Sequence, residues 1–196
     1  MAAFATADAA LVPQAIAAFQ QRHPAVSVSL REGFTPELLE LLGAGDADVA
    51  VVSYPDTRHL DGFELRKVCD DFMYVAFPHD HRLAGQRQVR LTELRDEEWI
   101  AGSSQPEDTL ISSCLRTGFR PHIGFVARDW MAKQGFVAAG IGITLVPSLA
   151  ADAVRRDVKL ALVHPDDIPP RQVYSAITSG LTPSPATQAF LDILHR

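Results

Sequence analysis

Two histidines one residue apart, His79 and His81, and two distant cysteines, Cys69 and Cys114, are the first side chains in this sequence whose types suggest chemistry. A metal site needs several ligands converging on one point. Pro78-His79-Asp80-His81 offers a pair in a turn with no matched third ligand, so a solvated turn is the simpler reading. The cysteines make no spaced framework and are expected to stay unbridged, as in a reducing cytoplasm, with Cys114 a buried helix residue. Gly140-Ile141-Gly142 invites a phosphate-loop reading, but a dinucleotide loop runs from strand to helix. Here the order is reversed. A helix-like run from Trp130 stops at Gly140, where a left-handed residue is wanted, and the apolar Ile143 to Val146 follows as a strand buried on both faces and closed by Pro147. With no nucleophile elbow, no phosphate loop and no metal-ligand cluster, and with acids mostly on presumed helix surfaces or turns, an enzyme is not expected.

The elements that must position any site are built from 196 residues, 47% of them hydrophobic, enough for two small lobes with real cores. A net charge of −6 does not suit a surface that grips a phosphate backbone. The alanine-rich start lacks a basic leader region and is interrupted by Asp8 and Pro13, so no export signal is expected. No run approaches the roughly 18 uninterrupted apolar residues of a membrane helix. A soluble cytoplasmic protein follows, without a membrane partner. Ala2 to Ala5 resemble the end of a strand with nothing before it, which suggests a chain cut from something longer.

In chain order, Asp8 or a neighbour is expected to cap a helix reaching about His23, and alternating Val26, Val28 and Leu30 to form a half-buried strand. Thr35 followed by Pro36 and Glu37 predicts a capped helix ending by Gly43 to Gly45. Strands are expected at 48–52 and 63–68, completing a β-α-β-α-β lobe with crossovers long enough for parallel pairing. A second lobe would begin with the apolar run after Asp70-Asp71. It would hold a short helix capped by Thr92, strands at 99–101 and 123–127, a helix ending near Gly118, the central helix-turn-strand and a strand at 158–163. The chain would return through Pro165 to Pro170 to a strand at 173–178 and a last helix from Pro185.

This order of signals resembles the effector-binding domain of LysR-type transcriptional regulators. The resemblance rests on five stretches: Ala10-Leu11-Val12-Pro13 with Phe19 and Arg22 to Val26; Gly45 to Ala50; Pro78 to Ala84; Leu91 to Ile100; and Phe136 to Pro147. It implies an α/β fold of two Rossmann-like subdomains with mainly parallel sheets, of the type II periplasmic-binding-protein kind. Subdomain I would span 1–70 plus 170–196, and subdomain II 71–169. A small-molecule effector would bind in the cleft between the lobes and act allosterically through a homodimer, or a tetramer at full length. DNA would be bound only through an N-terminal winged helix-turn-helix domain absent from this chain. No cofactor is implied. A free-standing solute-binding protein of the same fold is the alternative, and it would need an export signal.

In that family, hydroxyls and backbone N–H groups at helix N-termini hold the effector. The matching positions are Thr6, with Ala7 and Asp8 beside it, and Phe34 with Thr35 in the first lobe. In the second they are Ser103, Ser104, Asp129 and Trp130, with Phe136 as a wall residue or a core aromatic. Thr6 and Thr35 equally suit plain capping. Asp8 would oppose an anion if it faced the ligand, so a neutral or cationic effector, stacked on Trp130 beside Asp129, is an expectation of its own. Cys114 lies near a cysteine position of the peroxide-sensing branch, but Cys69 is no neighbour, and peroxide sensing is not expected.

Overall fold

A computed structural model describes residues 1–54 and 60–196. In chain order the strands and helices are β1 (Ala2–Ala3), α1 (Leu11–Arg22), β2 (Arg31–Glu32), α2 (Thr35–Gly43), β3 (Ala50–Tyr54), β4 (Phe63–Asp71), β5 (Met73–Pro78), β6 (Gln88–Val89), β7 (Glu98–Ala101), α3 (Ser113–Arg116), β8 (His122–Val126), α4 (Trp130–Ala138), β9 (Thr144–Pro147), β10 (Val158–Val163), β11 (Arg171–Thr178) and α5 (Pro185–Leu194). They divide into two compact units, Met1–Asp71 with Arg171–Arg196, and Phe72–Pro170.

The first unit is built on one mixed sheet of order β2-β1-β3-β11-β4. β1 runs parallel to β2 and β3, as crossovers through α1 and α2 require, whereas β11 returns antiparallel to both β3 and β4. Apolar faces of α1, α2 and α5 bury Val12, Phe19, Leu38, Leu42, Phe190 and Leu194. Phe19 and Phe190 meet edge to face with ring centroids 5.6 Å apart. At the start of α5 the Ser184 hydroxyl accepts from the Thr187 N–H, with Pro185 in the first turn.

Several local expectations need correction here. Asp8 does not cap α1, whose N-cap is Ala10 with no side-chain bond. The cap of α2 is Phe34, with the Glu37 carboxylate accepting from the Phe34 N–H at 2.8 Å, and Thr35 is already helical. Residues 26–30 are not a strand. Their alternation is real, since Val26 and Val28 are half-buried and Leu30 is exposed, but β1 offers only Ala2 and Ala3 for β2 to pair with.

The second unit holds a sheet of order β6-β10-β5-β9 and a separate parallel pair, β7-β8. Ile143 joins them: its N–H donates to the Glu98 carbonyl and its carbonyl accepts from the Ile100 N–H, both at 2.8 Å. Trp99, Phe77, Leu91, Leu94 and Ile143 fill one core, and Ile100, Val137 and Val146 anchor another beneath α4. Leu91–Leu94 is a 3-10 turn capped at Arg90 rather than a helix capped by Thr92. The Asp167 carboxylate accepts from the Arg90 guanidinium and the Leu91 N–H and pins that turn to the segment after β10. The helix expected before Gly118 shrinks to α3 behind two 3-10 turns.

Candidate functional site

In the first unit, the parallel strands β1, β2 and β3 end at one edge of the sheet, the place where open α/β sheets present ligand-facing groups. The turn after β1 carries Thr6, Ala7 and Asp8, and the turn after β2 carries Phe34 and Thr35. Ala7 is fully buried. The Thr6 hydroxyl accepts from the Arg171 guanidinium at 3.1 Å, and the same guanidinium pairs with the wholly buried Asp71 and lies over the Phe4 ring. Thr35 donates through Oγ1 to the Ser53 carbonyl at 3.1 Å and accepts from the Ser53 N–H at 3.4 Å, tying α2 to β3. Phe34, 80% exposed, is the most open apolar side chain on this edge.

Asp8 is the electrostatic exception. Its Oδ1 is buried without a hydrogen bond. Burial first, and then the charge of Glu32, push its carboxyl up to about 6.

In the second unit the parallel strands β7 and β8 likewise end together, with the Ala127 N–H donating to the Ala101 carbonyl at 2.8 Å. From β7 the chain bends through Gly102, Ser103, Ser104 and Gln105, and from β8 it enters α4 at Asp129. The Ser103 hydroxyl oxygen accepts from the Gln105 N–H at 3.1 Å, which leaves its own proton available, and Ser104 is exposed. Asp129 caps α4, its Oδ1 accepting from the Ala132 N–H at 2.9 Å. The Trp130 indole packs against the α4 core with its N–H buried and unbonded. The Asp129 carboxylate thus serves α4 as a cap through Oδ1, while the partly buried Trp130 indole belongs to the packing beneath that helix. Phe136, in the second turn of α4, meets the Phe125 ring at a tilt of 33° with centroids 5.3 Å apart and packs on the same core.

The thiols and histidines do other work. Cys114 is fully buried, and desolvation pushes its thiol up to about 12, far from the thiolate that redox sensing needs. His81 stacks on Phe77 and meets Glu97 at 3.2 Å, while His79 is exposed. Among the described residues no cluster of three or more His, Cys, Asp or Glu could hold a metal ion, and no helix is long and apolar enough to cross a membrane.

A family model of the LysR substrate binding domain matches residues 1–196. The chain belongs to that family. Similar curated proteins include the transcriptional dual regulator GltC of Bacillus subtilis (strain 168), 30% identical over 162 residues, which are 79% of this chain and 53% of GltC. The transcriptional regulator AlsR of the same organism is 29% identical over 151 residues, 75% of this chain and 49% of AlsR. The LysR domain thus spans about half the length of the curated relatives it matches. Among solved structures, the effector binding domain of QuiR in complex with shikimate superposes with a TM-score of 0.76 at 24% identity, covering 100% of this chain and 93% of that one. The BenM effector binding domain with its effector benzoate gives 0.81 at 21% identity, covering 98% and 88%. The fold is therefore that of LysR effector-binding domains, of the type II periplasmic-binding-protein kind.

Two basic residues of this LysR domain escaped the sequence reading. Arg171 follows the proline-rich return segment, and nothing local announces its bond to Thr6 across 165 positions. Lys133 is one of only three lysines, and that scarcity was the available signal. It is half-buried in α4 with its Nζ 3.8 Å from the point a Cβ on Gly102 would occupy, and burial alone pushes its ammonium below the ordinary lysine range.

Proposed function

We propose that this chain is the ligand-sensing domain of a LysR-type transcriptional regulator, and that it binds a small-molecule effector through both of its units. The observation that carries the reading is the repetition of one arrangement. In each unit, parallel strands end at a common edge and the turns leaving them carry hydroxyl side chains: Thr6 and Thr35 in the first, Ser103 and Ser104 in the second. Such edges, with a few polar groups beside an open apolar side chain like Phe34, suit a small organic molecule. That solved relatives hold shikimate and benzoate supports a metabolite-sized ligand here.

The effector shifts a pre-existing equilibrium between arrangements of the protein, by no more than the difference in its affinity for them. The relay runs through a homodimer to a DNA-binding domain outside this chain. A thermal-shift screen of small metabolites tests the reading. At least one compound is expected to raise the melting temperature saturably, with Thr35→Val lowering its affinity several-fold and sedimentation showing a dimer. A complete absence of binders, or a strict monomer at high concentration, counts against it.

A further inference from the structure

The chain leaves the first unit at Asp71–Phe72 and comes back to it at Pro170–Arg171. Asp71 and Arg171 face each other in register at the end of the β4–β11 ladder, and their side chains form an ion pair. Asp71 is wholly buried, so its carboxylate must be neutralised where it stands, whereas the Arg171 side chain stays 27% exposed. Nε and Nη2 of Arg171 both donate to Asp71 Oδ2, and Nη2 donates also to the Thr6 hydroxyl oxygen at 3.1 Å. The guanidinium lies over the Phe4 ring, 5.4 Å from its centroid. It is flat and rigid, so two bonds made by one of its nitrogens are not adjusted independently. Past the first crossing Phe72 is anchored in turn. Its N–H donates to the Ser148 hydroxyl at 3.0 Å, and its carbonyl accepts from the Ser148 N–H at 2.7 Å. At the second crossing Pro170 fixes its own φ just before Arg171.

We infer that Arg171 is a positioning residue that joins the turn carrying Thr6 to both crossings, so that the bonding of the Thr6 hydroxyl sets how firmly the crossings are held. The Thr6 oxygen accepts from Arg171, which leaves the hydroxyl proton as the group Thr6 offers outward. An acceptor that takes this proton makes the oxygen a better partner for Nη2. Because Nη2 also serves Asp71, the pull reaches the residue just before Phe72. This role rests on the reading of the Thr6 turn as ligand-facing, and it deepens that reading by naming the bonds through which occupancy there reaches the crossings. A static clasp is the competing account: Arg171 neutralises Asp71, and Thr6 is an incidental third partner.

Amide hydrogen exchange of the whole chain, read by NMR without any ligand, separates the two accounts. Thr6→Val keeps the side-chain shape and removes the acceptor of a charged donor. It is expected to speed exchange of the Phe72 and Ser148 amides about three-fold or more. The Val51 and Val52 amides of β3 are expected to keep their rates, which separates the effect from a general loosening. Thr6→Ser retains the hydroxyl and is expected to leave Phe72 and Ser148 as they were. In the Arg171→Lys background, Thr6→Val is expected to add nothing, because an ammonium does not tie two partners into one plane. Unchanged exchange in Thr6→Val, equal acceleration by Thr6→Ser, or undiminished acceleration in the Arg171→Lys background overturns the inference. The two Thr6 variants decide it even where Arg171→Lys does not fold. No ligand enters the measurement, so a metabolite screen without binders removes the sensor reading alone, and unmoved amides remove the coupling alone.

Discussion

Asp8 shows how one atom's surroundings can reverse the role its residue type suggests. An aspartate just before a helix is expected to cap it, yet this one is half-buried with its Oδ1 enclosed and unbonded, and its carboxyl is raised from 3.8 to about 6. Between those values the folded chain holds a proton that the unfolded chain has released. The group's effect on stability therefore worsens as pH rises through that window and is complete above it. Asp8→Asn is expected to stabilise the protein by about 1 kcal/mol at pH 7.5, a figure reduced for solvent screening of a partly exposed group, and by less at pH 4.5. Urea denaturation at the two pH values checks both the gain and its disappearance. An equal gain at both would mean that the charge was not the cause.

The helix-turn-strand from α4 to β9 was legible in the sequence because its signals are local. Gly140 is left-handed, φ +75°, as its place after a helix requires, and β9 is buried throughout. What no local signal shows is that Gly142 does a different job from Gly140. A Cβ on Gly142 would lie 2.5 Å from the Glu98 carbonyl oxygen, since Ile143 bridges here to β7. Gly140→Ala should cost about 1 kcal/mol in backbone strain. Gly142→Ala should cost about 2 kcal/mol or more by forcing β7 and β9 apart, with the difference read from denaturant midpoints. Caps were less legible than elements. Phe34 and Arg90 cap through acids three residues on, Glu37 and Glu93, and a reader looking for a hydroxyl at the cap itself chooses Thr35 and Thr92 instead.

At the scale of the whole molecule, each unit has a core of its own, filled by Phe19, Leu38 and Leu42 in the first and by Phe77, Leu91 and Trp99 in the second. Leu91→Ala, at a fully buried site, is expected to cost about 2–5 kcal/mol. Hydrogen exchange should show that loss in the amides of β5, β9 and β10 before those of β3 and β11, because a cavity in one core need not open the other. Equal loss of protection in both units would show that they unfold as one.

Periodicity, glycine and proline placement and hydropathy act over a few residues, so the order of elements, the family and the buried fate of Cys114 could all be read along the chain. Whatever joins residues far apart could not. Arg171 reaches Thr6 and Asp71 across the sheet, Thr35 is bound to Ser53, and Lys133 comes within contact distance of Gly102, 31 positions before it. Desolvation and pairing depend on which atoms are brought together in space, and for these groups the tertiary structure alone decides that.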